Sequence, residues 1–121
     1  MKKYKKSVLF ICADQWRFAC FSFLDHRYAL TPNLDKLAKQ SVVFKSHFAG
    51  IVPCGPSRTT MLTGLYPFIH RSVYNGAPLD KRFTNIAKEV RKLNNNPSLY
   101  GYTDTSWDPR YLDPTDKKNF T

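Results

Sequence analysis

The chain has 121 residues, of which 42% are hydrophobic and 15% aromatic, a composition that excludes an intrinsically disordered protein. The chain has 19 lysine and arginine residues against 9 aspartate and glutamate residues, which gives a formal charge of +10. Such a charge would attract anionic partners: nucleic acid, acidic lipid, or small phosphate and sulfate esters. The length allows one domain, and no segment is apolar for long enough to cross a membrane.

The first predicted element is a buried strand over Val8–Ala13, which is a continuous apolar run. It follows a basic tail, residues 1–6, and lacks the small-residue cleavage site of a signal peptide. The run ends at Asp14. Open α/β sheets bind ligands beyond the carboxyl ends of their strands, so Asp14 is a candidate site residue.

The remaining predicted elements are three helices and two strands. In chain order they are a helix opening at Thr31-Pro32, a strand over Val42–Phe48, a helix over Ser57–Thr63, a helix over Phe83–Leu93 and a strand over Ser98–Thr103. Thr31 is predicted to be an N-cap, with Pro32 at the first helical position, and Gly64 is predicted to end the helix that precedes it.

This order predicts an α/β fold, in which a mixed or parallel sheet is flanked by helices. Only two or three strands are visible, which is too few for a sheet covered on both faces. The segment 111–121 has no periodicity and is predicted to be irregular. We therefore interpret the chain as a truncated part of a larger domain.

The three cysteines, Cys12, Cys20 and Cys54, are an odd number without the Cys-x-x-Cys spacing of metal sites. This pattern does not indicate a disulfide framework. A reducing compartment fits it best, so we predict a cytoplasmic location.

The most informative segment is Cys54-Gly55-Pro56-Ser57-Arg58, followed by Leu62-Thr63-Gly64. If a helix begins near Pro56, its free amides and its positive end favour a thiolate or a bound sulfate or phosphate at Cys54. Arg58 returns to the same face four positions later and offers a fork of donors to an anionic oxygen. A cysteine before a helix is often only structural, so the spacing of the whole segment carries the functional interpretation.

That spacing resembles the signature of sulfatases of the alkaline-phosphatase superfamily, Cys-x-Pro-Ser-Arg followed by Leu-Thr-Gly. The resemblance implies that a formylglycine-generating enzyme oxidises Cys54 to formylglycine, whose hydrated aldehyde is the nucleophile, and that Arg58 stabilises it. It also implies one divalent metal ion, Mn²⁺, Ca²⁺ or Mg²⁺, bound by Asp14 and by the modified residue 54.

Other residues resemble the phosphonate monoester hydrolase branch of the superfamily. Many sulfatases have two aspartates where this chain has Asp14-Gln15, whereas in that branch a glutamine remains in the active site. Tyr100-Gly101-Tyr102-Thr103-Asp104-Thr105 and the following Asp108-Pro109-Arg110 also resemble it, with Tyr102 and Thr105 as candidate substrate donors. Core tyrosines beside a polar turn are an equally open interpretation.

Asn75 follows Tyr66-Pro67-Phe68-Ile69-His70-Arg71, which resembles the Tyr-Pro-x-x-His stretch of the family. Its amide is a candidate contact for a substrate oxygen. Asn75-Gly76 is also an ordinary turn signal, and this alternative competes strongly. The three histidines have no ligand-like spacing and are predicted to have surface or packing roles.

We interpret residues 1–121 as the N-terminal portion of a metal-dependent hydrolase of small anionic esters, nearest to phosphonate monoester hydrolases and phosphodiesterases. An aryl- or choline-type sulfatase is the alternative within the enzyme class, and a small basic nucleic-acid-binding module is the alternative outside it. The resemblance implies a homo-oligomeric full-length protein without membrane or nucleic-acid partners. The 121 residues alone are expected to be inactive, because one carboxylate and one formylglycine oxygen hold a divalent ion poorly.

Overall fold

The structure of the chain is a computed structural model, and it describes residues 7–106. This part contains a 3-10 turn and four α-helices, and it divides into two compact units, of which the first ends at Ser46 and the second begins at His47. The helical segments are the 3-10 turn Ser22–Leu24, α1 (Pro32–Ala38), α2 (Cys54–Thr63), α3 (Pro67–His70) and α4 (Ile86–Lys92). The predicted tail 1–6, the predicted irregular segment 111–121 and Asp108-Pro109-Arg110 lie outside the described residues.

In the first unit, α1 begins where the sequence predicts, with Thr31 as N-cap and Pro32 at the first helical position. The Ser22 hydroxyl donates to the Asp35 carboxylate at 2.7 Å, and the Thr31 hydroxyl donates to the same group at 3.0 Å. The Thr31 N–H in turn donates to the Ser22 hydroxyl at 2.8 Å. These bonds join the 3-10 turn to the start of α1.

The second unit is built around α2. This helix begins at Cys54 rather than at the predicted Ser57, because Pro56 falls in its first turn, where a missing N–H leaves no helical bond unmade. It ends as predicted: Gly64 takes a left-handed conformation with φ 70° and donates to the Thr60 carbonyl at 2.8 Å.

The predicted helix over Phe83–Leu93 is α4, which is shorter at its start. Asn85 is its N-cap and accepts a hydrogen bond from the Lys88 N–H at 3.0 Å. A side chain that satisfies an amide of the first turn sets the beginning of a helix, and hydrophobic periodicity alone does not reveal that position. The short helix α3, which has Pro67 at its first position, was not predicted from the sequence.

Half of the buried residues described in the second unit are polar. The buried residues described there are Gly55, Pro56, Thr59, His70, Ser72 and Ala77. Gly55, Pro56 and Thr59 lie on α2, so one face of this helix packs against the chain that follows it. Hydrogen bonds therefore contribute to holding α2 in place alongside apolar contacts.

Among residues 7–106 the structure contains no β-strand, so the sheet expected from Val8–Ala13, Val42–Phe48 and Ser98–Thr103 is not observed in this part of the chain. Val8 is 92% exposed and Ile11 79% exposed, whereas the sequence predicted a buried run. A parallel strand is stable only between neighbouring strands and under layers that cover both faces of its sheet. The apolar run is thus present without the partners that would bury it.

Candidate active site

Cys54 is the first residue of α2 and a half-buried free thiol. The first amides of a helix lack intrahelical partners, and here another part of the chain accepts from the Gly55 amide. The Gly55 N–H donates to the Asn75 Oδ1 at 2.8 Å, Pro56 has no N–H, and the Ser57 N–H donates to the Pro53 carbonyl at 3.2 Å. The expectation that free amides point at Cys54 therefore needs correction for Gly55 and Ser57, whose N–H groups donate within the chain.

Asn75 is both a turn residue and a contact of α2. The Ala77 N–H donates to the Tyr74 carbonyl at 3.2 Å, and Gly76 has φ 75°, so Asn75-Gly76 forms the turn that the dipeptide predicts. Because the Asn75 Oδ1 accepts from Gly55, it is the amide NH₂ that this side chain can offer to an anionic oxygen. The two interpretations of Asn75 are therefore compatible.

Arg58 lies one turn after Cys54 on the same face of α2. Its Nη1 donates to the Tyr102 carbonyl oxygen at 2.9 Å, and its Cζ lies 4.1 Å from the centroid of the Tyr102 ring. The structure thus brings together two residues that the sequence assigned to the site separately.

Thr105 is fixed by two hydrogen bonds. Its hydroxyl lies 2.8 Å from the Thr103 hydroxyl, and its carbonyl accepts from the Leu79 N–H at 2.8 Å. Between the two threonines, Asp104 has φ 60°, and its Oδ2 would lie 3.1 Å from a Cβ added at Gly55. A carboxylate beside the start of α2 was not predicted, because no local pattern in the sequence links these two segments.

His70 is a buried support for α2, whereas the sequence predicted only a surface or packing role for it. The Ser72 N–H donates to the His70 Nδ1 at 3.1 Å, so Nδ1 is an acceptor and the proton of the neutral ring is on Nε2. That Nε2 lies 2.9 Å from the Thr60 hydroxyl, which it reaches as donor. Burial lowers the pKa of His70 below its ordinary value by disfavouring the imidazolium.

Asp14 and Gln15 lie in the first compact unit, and the other candidate residues lie in the second. Both are exposed and form a turn, with Gln15 at φ 54°. A left-handed conformation at a residue other than glycine costs roughly 1 kcal/mol and is often found at functional sites.

The described residues do not by themselves fit a divalent cation. Within residues 7–106 there is no group of three or more His, Cys, Asp or Glu side chains that could hold a metal ion. Hard cations take six or more oxygen-rich ligands, so Asp14 and position 54 would be at most part of a coordination sphere. In the same part of the chain, no helix has the length and apolar character to span a bilayer.

Comparison with known proteins identifies close relatives. A family model described as Sulfatase matches residues 6–120. The multifunctional alkaline phosphatase superfamily protein PehA of Trinickia caryophylli is 41% identical over 94% of this chain, and an ulvan-active sulfatase of Formosa agariphila is 30% identical over 97% of it. The crystal structure of the phosphonate monoester hydrolase of Agrobacterium radiobacter is 50% identical and superposes on 87% of this chain with a TM-score of 0.74.

The chain spans about a fifth of the length of these relatives: 23% of PehA, 22% of the ulvan-active sulfatase and 21% of the Agrobacterium hydrolase. It corresponds to the N-terminal portion of an alkaline-phosphatase-like domain. The resemblance read from the cysteine segment is therefore confirmed, as is the assignment to hydrolase relatives.

Proposed function

The chain belongs to the sulfatase family, and from this premise we propose that its full-length protein hydrolyses small anionic esters with a nucleophile derived from Cys54. Within this class we favour phosphonate monoesters, with phosphodiesters as related substrates, because the phosphonate monoester hydrolase of Agrobacterium radiobacter is 50% identical to this chain. The single observation that carries the proposal is that Cys54 opens α2 and that Arg58 follows it one turn later. Together they place a reactive position and a fixed positive charge on one helix face.

Position 54 suits formylglycine, since Cys54 is a free thiol with part of its surface open to solvent. The formylglycine would supply a hydrated aldehyde, one hydroxyl of which would displace the alcohol of the ester from phosphorus or sulfur. A formylglycine-generating enzyme is the partner that this modification requires. The residues of the chain then bind and orient the ester: the Arg58 guanidinium and the Asn75 NH₂ donate to its anionic oxygens.

Two further residues are proposed as substrate contacts. The side-chain amide of Gln15 is a polar group at an exposed, left-handed turn position. The hydroxyl of Thr105 is half-buried beside the hydroxyl of Thr103, and when Thr103 donates to it, its own proton is left for a substrate oxygen. Replacing either residue by alanine should raise KM more than it lowers kcat if the contact is made equally to substrate and transition state.

Metal dependence is proposed for the full-length protein only. Asp14 offers a carboxylate and position 54 an oxygen once modified, and the other ligands would come from outside the described residues. Dialysis against a chelator should abolish turnover, and adding back Mn²⁺, Ca²⁺ or Mg²⁺ should restore it. Full activity of a metal-free preparation would contradict this part of the proposal.

We also propose that the exposed apolar segments become strands in the full-length protein. Val8, Leu9 and Ile11 are 79–92% exposed in this chain, and Val42 is 79% exposed, which suits a surface that is buried by further chain. Amide hydrogen exchange tests this: residues 8–13 should be protected in the full-length protein and exchange rapidly in the 121-residue chain. Equal exchange in both would contradict the proposed sheet.

A cytoplasmic location and homo-oligomeric assembly stay predictions.

The nucleophile is tested by peptide mass spectrometry of full-length protein co-expressed with a formylglycine-generating enzyme. The peptide containing residue 54 should carry formylglycine in proportion to turnover, and Cys54→Ala should abolish both. The variant Cys20→Ala is the matched control and should leave the modification of residue 54 in place. An unmodified thiol throughout an active preparation would rule out the formylglycine mechanism.

Substrate class is tested by comparing kcat/KM for a phosphonate monoester, a phosphodiester and a sulfate monoester that share one leaving group. We expect the two phosphorus esters to be turned over faster. A preference for the sulfate monoester would instead support the aryl- or choline-type sulfatase. No turnover of any of the three by modified, metal-loaded protein would contradict the proposed function itself.

A further inference from the structure

Tyr102 contacts the Arg58 side chain in two ways at once. The Arg58 Cζ lies 4.1 Å from the centroid of the Tyr102 ring, and its Nη1 donates to the Tyr102 carbonyl oxygen at 2.9 Å. A ring face alone lets a guanidinium slide across it, whereas a directed hydrogen bond also fixes its rotation. The two contacts with Tyr102 therefore contribute both to where the guanidinium lies and to how it is turned.

This support matters because of the position of Arg58 on α2. A long arginine side chain loses much rotamer freedom when it is held in place to receive an anion. The neighbouring amides of Gly55 and Ser57 are engaged within the chain, so they do not take over the role of the guanidinium. A guanidinium that is already fixed binds an anion at a smaller entropic cost.

We propose that Tyr102 is a positioning residue, whose ring face and backbone carbonyl hold the Arg58 guanidinium ready for the anionic ester. The inference rests on the proposed function, which supplies the anion that Arg58 meets. It changes the role expected from the sequence, which was donation from the Tyr102 hydroxyl to the substrate. The carbonyl persists in every variant, so substitutions at position 102 isolate the contribution of the ring.

Three variants of the full-length protein separate the ring from the hydroxyl. Tyr102→Phe removes the hydroxyl and keeps the ring, whereas Tyr102→Leu removes both. Tyr100→Leu is the matched control, since Tyr100 is a neighbouring tyrosine that is 94% exposed. We expect Y102L to lower kcat/KM about tenfold, Y102F to retain the greater part of it, and Y100L to match the wild type.

A double-mutant cycle asks whether Tyr102 acts through Arg58. In an Arg58→Gln background, Y102L should lower kcat/KM by less than about twofold, because the group that Tyr102 positions is gone. A nuclear magnetic resonance measurement gives a readout without turnover. The guanidinium protons of Arg58 should show an upfield ring-current shift in the wild type and in Y102F, and lose it in Y102L.

Each outcome decides the inference. If Y102F loses as much kcat/KM as Y102L, the hydroxyl contacts the substrate and the inference is wrong. If Y102L lowers kcat/KM as much in the Arg58→Gln background as in the wild type, the ring acts independently of Arg58 and the inference is also wrong. If Y102L does not fold, Y102F and Tyr102→Trp decide, because each keeps a ring face and should retain activity. A wild-type protein without hydrolase activity would remove the proposed function, while the resonance shift would still report on the contact.

Discussion

The Asn75 side-chain oxygen accepts a hydrogen bond from the Gly55 N–H at 2.8 Å, so a turn 20 residues further along the chain caps the helix that carries Cys54. The bond occupies an amide that the sequence expected to be free for an anion. It leaves the Asn75 NH₂ as the donor on that side of the helix. The turn and the start of α2 are therefore coupled, and each of the following predictions concerns the support of this helix.

Asn75→Ala should lower the free energy of unfolding by about 1–2 kcal/mol, because the Gly55 N–H loses its acceptor. Asn75→Asp keeps an acceptor oxygen and should retain more stability, yet it should lose activity, since it has no NH₂ and adds a negative charge. Urea denaturation and kcat/KM of the full-length variants measure the two effects. Wild-type stability of N75A would show that the bond does not cap α2.

Gly55→Ala should lower the free energy of unfolding by about 1–3 kcal/mol, although alanine is the better helix former. A Cβ at Gly55 would lie 3.0 Å from the Asn75 Cα and 3.2 Å from the Tyr74 carbonyl oxygen, both backbone atoms. Gly50→Ala is the matched control, since its Cβ would meet only the Thr60 Cγ2 at 3.6 Å. Equal melting temperatures of the two variants would contradict the close approach.

Stability should fall in mild acid because of His70. Its folded pKa is lowered by burial, so the unfolded chain binds the proton first. The stabilisation is complete above about pH 6.5, the ordinary histidine pKa, and is lost as the pH falls through the lower folded pKa. Urea denaturation between about pH 8 and about pH 5 should show stability falling with pH, with a slope that His70→Asn reduces and that the control His47→Asn, at an exposed position, leaves unchanged. An unchanged slope in H70N would assign the acid sensitivity to other groups.

Thr60→Val should lower the free energy of unfolding by about 1–3 kcal/mol, because the His70 Nε2–H is left buried without its acceptor. Thr60→Ser keeps the hydroxyl and should retain most of the stability. Thermal and urea denaturation of the two variants give the comparison. If the serine variant is as unstable as the valine variant, packing of the methyl group rather than the hydrogen bond supports His70.

The elements that sequence reasoning placed correctly are those with local signals. Thr31-Pro32 begins α1, and Gly64 ends α2 at φ 70°, because capping depends on residues within one turn of the helix end. The predicted strand at Val8–Ala13 failed in the described chain for the opposite reason. A strand depends on partners elsewhere, and Val8 is 92% exposed without them.

The sequence by itself determined the family and the residues of the nucleophile segment, since Cys54 and Arg58 are separated by one helical turn and their spacing is a local property. Only the tertiary structure decided what surrounds them. Asn75 accepts a hydrogen bond from the Gly55 N–H, and Tyr102, 44 residues after Arg58 in the sequence, contacts its guanidinium. Contacts between distant segments depend on how turns and helices pack, and no short pattern encodes that packing. The signature thus identifies the proposed reactive position, while the fold determines which donors lie near it.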